Sequence, residues 1–188
     1  MNELFIRIIR KKLSYQYKND MNTKDDWYVN DKNNMLDDFH FYVDEAVIFS
    51  AKVQTVANIP NGRHTDTIIP GPFQIKCFIG EGEHADPRNF YGRIHGIINT
   101  YDMDGQKISE GSTEPIPGKN GAPEDFTRWL VHDLQKHKPN PPNIDTRVAW
   151  SAGCFIMSTY NLKALGDILD AYKIIPGDII GGELMEEE

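Results

Sequence analysis

The sequence predicts a mainly β domain with one late amphipathic α-helix. Short β-branched and aromatic runs bounded by turn residues fill its first half. A single stripe of apolar residues at helical spacing stands near the end. The 188 residues, 39% hydrophobic and 26% charged, suit one globular domain spanning 1–188 with a real core. No apolar run approaches the roughly 20 residues that a membrane helix needs.

Leu4–Ile9 reads as the first strand, its Phe5, Ile6, Ile8 and Ile9 broken by Arg7. It lacks the 7–15-residue apolar block and small-residue cleavage site of a secretory leader. No signal peptide is therefore expected, and localisation stays open. Lys18 to Asp38, dense in Asn, Asp and Lys, reads as a long solvated loop or loose hairpin. Further strands are expected at Phe39–Val43, Val47–Thr55 and Phe73–Ile79, the last fed by the turn Ile69-Pro70-Gly71-Pro72. After a polar loop with His84, Asp86 and Arg88, Arg93–Ile98 has the look of a buried strand carrying His95.

Residues 111–123 hold six glycines and prolines, including Gly111, Pro117 and Gly121, and form a compact loop. Asp125–Leu134 fits either a helical stripe or a short strand; the strand is preferred for 128–132. A break follows at Pro139-Asn140-Pro141-Pro142. Leu162, Leu165, Ile168, Leu169 and Tyr172 then define the helix, with Ser158 or Thr159 placed to cap it. The acidic tail, 183–188, is expected to fray.

The formal charge of −8 argues against a protein that coats nucleic acid, which would need a cationic face. Two cysteines, Cys77 and Cys154, cannot build a disulfide framework. Cys77 lies mid-strand and reads as core. Cys154 follows the small turn Ser151-Ala152-Gly153 and heads the apolar run Phe155-Ile156-Met157. That is a sensible seat for a nucleophile, although a buried core cysteine is the plain alternative. The glycine lets a substrate carbonyl approach the backbone, and the N–H groups of Gly153 and Cys154 are candidates for an oxyanion hole. A thiol with a pKa of roughly 8.5 needs a neighbouring base, hence a histidine.

This order of features resembles the L,D-transpeptidase catalytic domain, a family of peptidoglycan-modifying cysteine enzymes. The resemblance rests on Pro70-Gly71-Pro72-Phe73, a strand histidine, Ser151-Ala152-Gly153-Cys154 and the following helix, over about residues 67–180. It implies a β-sandwich or barrel. Two departures stand out: Ala152 replaces the family's usual histidine, and Ile156 replaces a polar Arg or Asn.

The base is His132 or His95. His132 precedes Cys154 by 22 positions, near the family's short interval, and is preferred; His95 has the local His-Gly look but lies 59 positions away. His40, His64, His84 and His137 have no comparable context. The resemblance implies Cys-His acyl transfer on peptidoglycan stem peptides, by transpeptidation or hydrolysis, with Cys154, His132, His95 and Ser151 as catalytic candidates. Arg147 and Arg93, as carboxylate clamps, and Trp150 are candidate substrate contacts.

The reading requires no cofactor or metal, no nucleic acid and no membrane span, and leaves the oligomeric state open. If it holds, the protein acts at the cell wall or periplasm. Two alternatives remain. One is a catalytically inactive cell-wall-binding or phage structural module of the same fold. The other is a zinc-dependent peptidoglycan peptidase, disfavoured because His132 and His137 stand five rather than four apart.

Overall fold

The computed structural model describes residues 2–16, 28–30, 35–57, 66–80, 93–110, 116–117, 123–124, 129–133, 147–149, 151 and 153–188. In chain order the strands are β1 (Leu4–Arg10), β2 (Tyr28–Asn30), β3 (Asp37–Val43), β4 (Ala46–Gln54), β5 (Gly71–Gly80), β6 (Ile94–Ile98) and β7 (Thr100–Tyr101). They continue with β8 (Lys107–Ile108), β9 (Ile116–Pro117), β10 (Pro123–Glu124), β11 (Leu130–Asp133), β12 (Arg147–Ala149), β13 (Phe155–Met157) and, after the helix α1 (Thr159–Ala171), β14 (Ile179–Glu186). A 3₁₀ turn, Lys12–Gln16, follows β1.

Eight of these strands close a barrel in the order β1-β14-β5-β6-β11-β13-β4-β3, with β3 returning to β1. Closure removes the exposed edges that an open sheet must protect. The β1–β14 and β11–β13 pairs are parallel, and the other pairings are antiparallel. The domain is thus mainly β, with α1 as the one α-helix among the described residues. That helix is not long and apolar enough to cross a membrane.

Period-2 alternation decides what enters the barrel. Ile6, Ile8 and Arg10 of β1, Phe39 and Phe41 of β3, Phe73, Ile75 and Cys77 of β5, and Val131 and Phe155 are buried. Leu162, Leu165 and Leu169 of α1 join the same apolar cluster, so three residues of the stripe read from the sequence form the helix's buried face, while Ile168 is partly buried against it and Tyr172, at the C-cap, is exposed. Ser158 caps the helix, its hydroxyl accepting the Asn161 N–H at 3.0 Å.

Arg10 is fully buried, which an unpaired guanidinium would not tolerate. Its Nε donates to the Thr55 hydroxyl at 2.7 Å, and its other nitrogens to Tyr15 Oη, Ile68 O and Thr55 O. The Thr55 hydroxyl donates onward to Asp37, whose carboxylate also accepts from Ser14 Oγ and the Lys11 N–H. This network knits the ends of β1 and β4 to the 66–68 segment.

The acidic tail departs from expectation. Residues 183–186 belong to β14, which pairs with β1 on one side and β5 on the other. Ile180 and Leu184 face the core, while Glu183 and Met185 face outward. The inward position between them is Gly182, where a Cβ would lie 2.6 Å from the Phe73 ring. The aromatic ring fills that place, so the strand carries too few inward apolar side chains to show its period.

Candidate functional site

The expected strand over 128–132 is β11, with Trp129 fully buried just before it. β11 runs parallel to β13, with His132 opposite Ile156 and Val131 opposite Phe155. Val131 and Phe155 face the core. Alternation therefore places Leu130, His132, Cys154 and Ile156 on the other face. Continuing the register makes Cys154 and His132 diagonal neighbours, about 8 Å apart at Cα from ordinary strand spacing. Cys154 is half-buried and packs against Ile79, Ile94 and Leu130.

His132 is buried, and its Nδ1 lies 2.7 Å from the Asp133 carbonyl oxygen. A carbonyl only accepts, so Nδ1 carries the ring proton and Nε2 is the basic nitrogen of the neutral ring. The Asp133 carboxylate is itself held by the Thr159 hydroxyl at 2.9 Å, at the start of α1.

His95 is placed differently. It pairs with Val131 across the β6–β11 ladder and so shares Val131's inward face, opposite to Cys154. Its Nδ1 accepts the Phe78 N–H at 3.1 Å, inside a bulge where β5 slips against β6 between Lys76 and Gly80. Phe78 adopts φ +51°, a strained value for a bulky residue. Complete burial, with the nearby Arg93 charge, pushes the His95 pKa down to about 3. The ring is thus neutral, completing the bulge's hydrogen bonding, and not brought to the thiol.

The turn before Cys154 is self-braced. Ser151 is buried; its hydroxyl accepts the Gly153 N–H at 3.1 Å and donates to the Cys154 carbonyl at 3.0 Å. Gly153 has φ +117°, and a Cβ there would meet the Asp66 carbonyl at 2.3 Å and Trp129 Nε1 at 2.8 Å. That indole nitrogen donates to the same Asp66 carbonyl at 2.9 Å.

Two sequence expectations are corrected here. The space that glycine leaves is filled by Asp66 and Trp129 rather than open to a substrate carbonyl. The Gly153 N–H, offered for an oxyanion, is used inside the turn by Ser151.

Arg93 is also engaged. It makes a two-pronged ion pair with Asp170 of α1 at 2.8 and 3.2 Å, and its guanidinium stacks 3.7 Å from the Phe78 ring centroid. The Arg93 hydrogen bond holds the Asp170 carboxyl below its ordinary range. Arg93 therefore fastens the helix to the β5 bulge instead of standing ready as a carboxylate clamp. The backbone of Arg147 pairs with Asn30 in the β2–β12 ladder. The Arg147 side chain lies outside what is described, as do Trp150, Ala152, His64, His84 and His137. His40 is on the outer face of β3, its Nδ1 2.8 Å from Ser50 Oγ.

Cys77 is fully buried, and burial with the nearby Asp178 charge pushes its thiol up to about 12. That fits a core cysteine. Among the described residues, no group of three or more His, Cys, Asp and Glu side chains is placed to hold a metal ion. Sequence reasoning missed the Asp133 carbonyl beneath His132 and the Trp129–Asp66 seat under Gly153; neither leaves a motif.

No family model matches the chain. Among curated proteins it is similar to an uncharacterized protein of Treponema pallidum (strain Nichols), 34% identical over 194 residues covering 97% of this chain and 80% of that protein.

Proposed function

The chain belongs to the same family as the treponemal protein, and we propose that it is a cysteine-dependent acyl transferase or peptidase acting on peptidoglycan stem peptides. The observation that carries this reading is the face shared by Cys154 and His132, with His132 held as the Nδ1–H tautomer by the Asp133 carbonyl. In that tautomer Nε2 takes the thiol proton. The thiolate attacks the carbonyl after a meso-diaminopimelate-like residue, the C–N bond breaks, and the amine leaves with the proton from the imidazolium. A second amine or water then resolves the thioester.

A second reading is favoured by the closed Ser151–Gly153 turn: a catalytically inactive wall-binding or phage module of the same fold. With the Gly153 N–H bonded to Ser151, one donor proposed for the oxyanion is already occupied. Muropeptide digestion followed by mass spectrometry, wild type beside Cys154→Ala, separates the two. New cross-linked or trimmed products from wild type alone support the enzyme; identical products would falsify it.

A further inference from the structure

At the far end of β4 from Cys154, a groove of about 430 Å³ opens on the outer face of the barrel. It is lined by Glu3, Phe5, Arg7, Tyr42 and Glu45, and its volume is in the range of small-ligand sites. Its floor is a guanidinium set among aromatic rings. The Arg7 carbon lies 5.4 Å from the Tyr42 ring centroid and 6.0 Å from that of Phe5, within cation–π range. Arg7 makes a long ion pair with Glu183, at 3.9 Å through one terminal nitrogen, and among the described residues its Nε has no hydrogen-bond partner.

The rim is a strained construction. Asp44 and Glu45, at the β3–β4 hairpin, have φ of +48° and +69°, a left-handed pair for which hairpins ordinarily use Asn-Gly. The turn is tied to the start of the chain by two reciprocal bonds. The Glu3 N–H donates to Asp44 Oδ1 at 2.7 Å, and the Asp44 N–H donates to the Glu3 carbonyl at 3.0 Å. These bonds hold the start of the chain against the hairpin; Glu3 and Glu45 both line the groove, and neither carboxylate has an ion pair among the described residues.

From this geometry we propose that the groove binds a free α-amino acid with an apolar side chain. The ammonium group meets Glu3 and Glu45, the carboxylate meets the Arg7 nitrogens, and the side chain lies along Phe5 and Tyr42. Charge selects the class. A phosphate or dicarboxylate meets the Glu3 and Glu45 carboxylates, and a simple amine leaves Arg7 with no anion beyond its 3.9 Å contact to Glu183. A zwitterion satisfies both. The inference stands apart from the Cys154 site and does not depend on it.

Titration calorimetry on the full chain with L-phenylalanine tests it, beside N-acetyl-phenylalanine, phenylalanine amide and phenethylamine. Saturable binding of phenylalanine is expected, with each blocked or truncated analogue weakened about tenfold or more, the worth of one charge-assisted hydrogen bond. Glu45→Gln, an exposed change, should weaken phenylalanine to a similar degree, as should Arg7→Lys, which keeps a charge but loses the planar fork. Absence of saturation up to the solubility limit overturns the proposal. So does equal binding of the blocked analogues, or undiminished binding to Glu45→Gln.

Discussion

Gly153 lies so close to Trp129 that a Cβ on the glycine would sit 2.8 Å from the indole nitrogen. The indole cannot withdraw easily, because it is fully buried and donates to the Asp66 carbonyl. Gly153→Ala would also place a side chain at φ +117°, a region that L-residues avoid. We expect it to lower the unfolding free energy by about 2 kcal/mol or more, from the backbone cost alone of roughly 1–2 kcal/mol plus the clash. Urea denaturation measures this, and an alanine variant as stable as wild type would overturn the packing role.

The two thiols should differ in reactivity. Cys154 is half-buried, whereas Cys77 is fully buried with its pKa near 12, so that almost no thiolate exists at neutral pH. Iodoacetamide under native conditions is expected to label Cys154 and to reach Cys77 only after denaturation. If His132 is the base, Cys154 labelling should acquire a lower apparent pKa that His132→Ala abolishes. A rate that does not respond to His132→Ala would leave the thiol without its proposed partner.

Thr55 joins two buried charges that do not touch directly. Its hydroxyl accepts from Arg10 and donates to Asp37. Burial raises the Asp37 pKa, while the bonds from Ser14, Thr55 and Lys11 and the Arg10 charge pull it back down. Thr55→Val keeps the shape but strips one partner from each charge, at a cost of about 3 kcal/mol from two short-changed polar groups. Thr55→Ser keeps the hydroxyl and should recover most of it. A valine variant within experimental error of wild type in chemical denaturation would show the relay to be dispensable.

The parts of the fold that announce themselves in sequence are those whose side chains carry the period. β1, β3 and β5 alternate bulky inward residues; Arg10, one place beyond the strand read from the sequence as Leu4–Ile9, takes the inward phase of Ile6 and Ile8, and its burial is seen only in the fold. α1 shows its leucine stripe and serine cap. β14 does not announce itself, because Gly182 gives its inward place to Phe73 and its outward residues are acidic. At the candidate site, Cys154 and the strand carrying His132 are legible as residues. The Asp133 carbonyl and the occupied Gly153 N–H are backbone groups, and no side-chain pattern encodes them. His95 resembles a site residue locally because a buried strand histidine looks the same from sequence whether it serves a thiol or a bulge.

Neutral His95 makes acid stability a direct readout of that bulge. An unfolded-state histidine titrates near 6.5, and His95 in the fold near 3, because burial opposes its charged form. Between these values the unfolded chain holds a proton that the native chain does not. Stability therefore falls as pH drops from about 6.5 toward 3, at up to about 1.4 kcal/mol per pH unit for this one group, and is unaffected by it above that range. Asp170, depressed by Arg93, loses stabilisation in the acid range, and Asp37, raised by burial, works the other way. Comparison with a variant is thus needed to isolate the histidine. In His95→Asn the amide oxygen can accept the Phe78 N–H in place of Nδ1, and nothing titrates. Unfolding free energies from pH 4 to 8 should show the wild type losing ground to His95→Asn below about pH 6.5. Parallel curves would mean that His95 accepts its proton without cost in the folded state, and the buried neutral bulge would have to be abandoned.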